Sequence, residues 1–125
     1  ANPRMTRLTA ALSTEWSEPF DGKFVDVGSL RVNGSGEAVF SVFHHGPLTF
    51  AGHLFGSSDA VAAVDAMGHV TWALEESAAV RATLEDSAGN HYLGGWYDAS
   101  APPEHGGPWP TAEGTHGFFM GIPAD

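Results

Sequence analysis

Between Lys23 and Phe55 apolar residues recur at nearly every second position, interrupted by clusters of glycine and polar turn formers. That period commits the segment to β-structure, because a helix would need apolar spacings of three and four. Phe24, Gly28, Leu30 and Val32 share one parity, and Val25, Val27, Ser29 and Arg31 the other. Asn33-Gly34-Ser35-Gly36 then offers the positive-φ residues of a tight hairpin. The returning segment, Glu37 to His45, is apolar on both parities, which suits a strand covered on both faces. Gly46-Pro47 is expected to turn the chain into a further strand, Leu48 to Phe55.

The same reading predicts strands at Arg7–Trp16, His69–Glu75, Ser77–Ser87, His91–Tyr97 and His116–Ile122. Gly94-Gly95 suggests a bulge or sharp bend in its strand. One segment reads differently: the polar run Ser57-Ser58-Asp59, the Ala-rich stretch after it and Gly68 predict a short helix near 59–67. Residues 99–115 form a Pro/Gly-rich loop whose length suits a lid. Seven or eight short, mainly antiparallel strands in one domain spanning 1–125 predict an all-β fold. The expected form is a closed or nearly closed β-barrel, with a β-sandwich as the alternative. Ala1 to Arg4, ahead of Met5, read as a cloning remnant.

Composition narrows the chemistry. The absence of cysteine excludes disulfides, thiolate nucleophiles and zinc–thiolate sites. Fifteen acids against five bases give a formal charge of −10, which disfavours nucleic acid and anionic membranes as partners. Seven histidines would carry that charge towards about −3 on acidification, so solubility should fall near pH 5. The longest run without Asp, Glu, Lys or Arg, 38–58, is broken by histidine, glycine and proline and does not read as a membrane span. With no leader-like apolar core either, a cytoplasmic protein is expected, and homo-oligomerisation is compatible with the sequence.

The candidate catalytic residues are Asp26, His44 and His53, with Asp26 expected to face inward and orient a histidine acting as acid or base. Phe40, Phe50, Trp72, Tyr92 and Trp96 are expected to line a ligand cavity, with Trp109 on the lid. Neighbouring His44 and His45 must point to opposite faces of a strand and no His-x-His pair occurs, so no metal ligands and no cofactor are assigned. Arg31 and Arg81 are expected to pair with Glu37 or Glu85 on the surface. The function expected from this pattern is binding of a small, mostly apolar organic molecule inside the barrel. Cofactor-independent isomerisation, cyclisation or lyase chemistry would follow from proton transfer and preorganisation. The alternative is an acidic interaction domain, of the inhibitor or immunity type, masking a basic partner.

Overall fold

A computed structural model describes residues 3–56 and 59–122, without the side chains of Phe24 and Val25. Among the described residues nine strands make up all of the regular structure: β1 (Arg4–Leu8), β2 (Thr14–Val32), β3 (Ala38–Phe50), β4 (His53–Phe55), β5 (Asp59–Val64), β6 (Val70–Glu76), β7 (Ala79–Glu85), β8 (His91–Asp98) and β9 (Thr115–Ile122). Every pairing is antiparallel. The strands form a six-stranded sheet ordered β1-β2-β3-β5-β6, with β4 also on β3, and a three-stranded sheet β7-β8-β9. Among the described residues there is no helix long and apolar enough to cross a membrane.

The two sheets are separate and do not close into a barrel; the sandwich is the arrangement that fits. The reason lies in the long β2–β3 ribbon. Phe40 and Phe50 are ten residues apart on β3, roughly 33 Å in a straight strand, yet their ring centroids lie 5.4 Å apart. The ribbon therefore folds back on itself near Gly46-Pro47, where β2 carries register shifts between Gly22 and Asp26. Gly22 sits there at φ +123°, and a Cβ on it would collide with the carbonyl of Pro47. Gly46-Pro47 thus bends a continuous strand instead of ending it, and the reversal comes later, at Ala51 and Gly52, both with positive φ.

This folding gives three layers and two cores. The first core gathers Phe20, Phe40, Phe50, Leu48 and Phe55 with Ala60, Ala62 and Val64. Phe20 stacks on Phe50 at 4.5 Å and meets Phe40 edge-on at 6.1 Å. The second core lies between β3, β5 and the small sheet, and holds Val39, Val61, Ala63, Val80, Leu93, Tyr97, Phe118 and Met120. Both faces of β5 are consequently buried, as are those of the Val39–Val42 stretch of β3. Their alternate residues feed different cores, so the double apolar parity of the sequence has a physical cause.

The helix expected near 59–67 is absent: residues 59–64 are the central strand β5, and Ser57 and Ser58, expected to cap the helix, lie outside the described residues. Burial between two neighbouring strands outweighs the helical preference of alanine, whose small side chain suits a layer packed from both sides. Asp65 to His69 is a hairpin turn in which the Asp65 carboxylate accepts the N–H groups of Met67 and His69. The strand expected at Arg7–Trp16 is likewise broken, by a turn from Thr9 to Ser13 with Leu12 at φ +65°.

Candidate functional site

Among the described residues no hydrogen bond or ion pair joins Asp26, His44 and His53, the residues expected to act together. Asp26 is solvent-exposed and its Oδ1 accepts the N–H of Val27 at 2.8 Å. His44 is buried; its Nδ1–H donates to the carbonyl of Gly46 at 2.7 Å, while its Nε2 has no partner among the described residues. His53 is exposed on β4, its ring 4.6 Å from Phe55. Phe40 and Phe50, expected to line a hollow, are packed into the first core. Trp72 is half-buried with its ring 4.8 Å from His91. Tyr92 and Trp96 stand on the outer face of the small sheet, and Trp109 lies over Tyr97 and Phe118 at the edge of the second core.

The loop from Ala99 to Gly114 is tied down rather than hanging over an opening. Its anchor is Glu76, whose side chain has no solvent exposure. The carboxylate accepts the N–H of Glu104, the N–H of His105 at 3.3 Å and the Nδ1–H of His105 at 2.9 Å. The Tyr97 hydroxyl donates to the Pro110 carbonyl, and the Trp109 indole to that of His105.

A different set of groups converges at the hairpin ends. The β2–β3 and β7–β8 turns border a cleft of about 350 Å³ lined by Arg31, Asn33, Thr83, Glu85, Asp86 and His91 among others. At its edge one ligand atom from each of Glu37, Glu85 and His91 lies within 4.8 Å of the other two, all three residues half-buried. Asn33 organises the pair of acids: its amide donates to Glu37 Oε1 and to Glu85 Oε2, each at 3.2 Å. Its own Oδ1 accepts the N–H groups of Ser35 and Glu37, which fixes the turn. Thr71 donates to Glu37 Oε2 from β6. His91 Nδ1 is sealed from solvent and has no hydrogen-bond partner among the described residues.

The expected pairing of Arg31 or Arg81 with these acids does not form. Arg81 reaches Asp59 instead, at 3.5 Å, and among the described residues neither Glu37 nor Glu85 has a cationic partner. Arg81 is redirected because it occupies the β7 register shift opposite Gly94 and Gly95. Beside the triad Asp86 is held down to about 2, chiefly by the Asn90 side chain and then by the Asn90 N–H, so it stays ionised. Its Oδ2 also accepts the Tyr92 hydroxyl, which raises the Tyr92 pKa. No residue of this cleft was a predicted site residue except Tyr92 at its margin. Only the two Asx turns in the sequence hinted that Glu37, Glu85 and His91 flank hairpins. No protein-family model, curated protein or solved structure matches the chain.

Proposed function

We propose that the protein is a ligand-binding β-sandwich and that its cleft takes a divalent cation on Glu37, Glu85 and His91. The ligand-binding role expected of the interior thereby moves to the surface, where the aromatic packing leaves space. One observation carries this reading: two carboxylates and an imidazole, from the residue leading into β3, from β7 and from the start of β8, converge, and among the described residues neither acid has a cationic partner. Like charges held close disfavour the empty site, and a dication would offset that repulsion. Mixed carboxylate and imidazole donors suit zinc, manganese or iron(II) better than calcium, which takes oxygen ligands. Zinc bonds of about 2.0–2.2 Å would draw the donors to roughly 3.5 Å from one another, a contraction of about 1 Å that half-buried side chains can make. The −10 charge adds a long-range attraction for cations.

The test is calorimetric titration of tag-free protein with Zn²⁺ and with Mn²⁺, alongside thermal melting. Saturation at about 100 times Kd should stabilise the fold by about 2.7 kcal/mol. Glu85→Gln and His91→Ala should remove the binding heat and the melting shift, whereas Asp26→Asn should keep both. No heat and no shift with either ion at millimolar concentration would refute the assignment.

A further inference from the structure

The outer face of the small sheet carries a pattern that the cation cleft does not use. The buried members of this sheet are Val80, Leu93, Tyr97, Phe118 and Met120, so the opposite parity faces solvent. On it stand Leu84 (50% exposed), Tyr92, Trp96 (45%) and Phe119 (65%), with no charged residue among them. Each ring faces a glycine across the strand pair: Tyr92 opposite Gly121, Phe119 opposite Gly94 and Trp96 opposite Gly117. A Cβ on Gly121 would press on the Tyr92 ring at 3.3 Å, so that ring lies close over the bare backbone. Tyr92 and Phe119 are nearly parallel, 10° apart with centroids 5.5 Å from each other. The result is an apolar strip along two strands.

Polar groups bracket the strip. Beyond Trp96, Thr115 donates to Asp98 at 3.1 Å, and the Arg81 guanidinium lies 6.0 Å from the Trp96 ring and 4.7 Å from that of Phe43. Trp96, Asp98, Arg81 and Phe43 border a slot of about 170 Å³ with Asp59 and Ser77 on its wall. At the other end the Tyr92 hydroxyl meets Asp86.

We propose that this strip and its adjoining slot bind a neutral, unbranched saccharide. One sugar stacks on Trp96 with hydroxyls at Arg81 and Asp98, and the chain runs over Phe119 towards Tyr92. A pyranose ring has an apolar C–H face, which an electron-rich ring face attracts, and a rim of hydroxyls that need donors and acceptors. The strip offers the first and its two ends offer the second. A lipid chain would strip water from the polar groups at both ends and offer them no hydrogen bond in return. An anionic ligand, or a second copy of a chain charged −10, would be repelled over the approach.

The experiment is a titration followed by tryptophan fluorescence and calorimetry with cellohexaose, xylohexaose and laminarihexaose. At least one should bind, and Trp96→Ala and Phe119→Ala should each weaken it about tenfold or more. Circular dichroism would show that both variants keep their β-spectrum, as expected for exposed rings. Glu85→Gln should bind the sugar like the parent protein, since Glu85 lies on the opposite parity of β7 from Leu84 and the strip. No binding of any of the three, or a concentration-dependent dimer in sedimentation that Phe119→Ala dissolves, would overturn the proposal.

Discussion

Replacing Glu76 by alanine should destabilise the protein by about 3 kcal/mol, and the loop it anchors should open first. The carboxylate has no solvent exposure and accepts four donors: the N–H groups of Ser77, Glu104 and His105 and the imidazole N–H of His105. Each donor left unpaired in a buried place costs about 1–3 kcal/mol. Two offsets reduce the sum. Glu104 and His105 lie in an exposed stretch, so water can reach their freed N–H groups, and deleting the carboxylate recovers a desolvation cost of several kcal/mol. The remainder, about 3 kcal/mol, is the upper end of what one donor left unpaired in a buried place costs. In a domain of this length that is a fall in Tm of about 10 °C. Urea unfolding should show a lower midpoint at unchanged slope, and limited proteolysis should cut the 99–114 segment sooner. Glu76→Gln, which retains one acceptor oxygen, should lose about half as much. A Glu76→Ala protein within 1 kcal/mol of the parent, with the loop equally protected, would refute the claim that this carboxylate holds the loop.

Phe50→Ala should cost about 3–5 kcal/mol by chemical denaturation, since the ring is wholly buried against Phe20 and Phe40. Gly95→Ala should impair folding, because its Cβ would fall inside the carbonyl of Ala79, whereas Gly94→Ala meets only an ordinary contact with Phe118 and should be tolerated in a melting assay. On acidification Asp86 contributes stability that is present above the ordinary carboxylate range near 3.9 and lost as pH falls through about 2. Asp86→Asn should therefore flatten that limb of a Tm–pH curve. Asp59 acts in the opposite sense: burial raises its pKa, so its contribution is lost as pH rises through that raised value, and Asp59→Asn should remove that decline.

Three hairpins show how much local chemistry was readable. Asn33-x-x-Gly36, Asp65-x-x-Gly68 and Asp86-x-x-Gly89 share one construction. In each the first residue's side-chain oxygen accepts backbone N–H groups further on, and the glycine takes a φ between +84° and +89°. The first and third are evident as turns from composition. The second, set after an Ala-rich run, looks like a helix end, although the same Asp-x-x-Gly spacing marks it as the close of a strand. Glu37, Glu85 and His91 each adjoin the first or third of these turns, so their places at hairpin ends were legible. Their convergence was not, because nothing local brings residue 37 beside residue 85.

Period-two alternation and Asx-glycine turns, which act over a few residues, determined from sequence alone that this chain is β-structured and where most of its hairpins fall. The tertiary structure alone decided that β2–β3 folds back on itself, that Phe20, Phe40 and Phe50 fill the space so made, and that Tyr92 and Trp96 face outward. An apolar residue on one parity of a strand needs only some cover from water. Whether a hollow wall, a second layer or nothing supplies that cover depends on contacts between residues far apart in the chain.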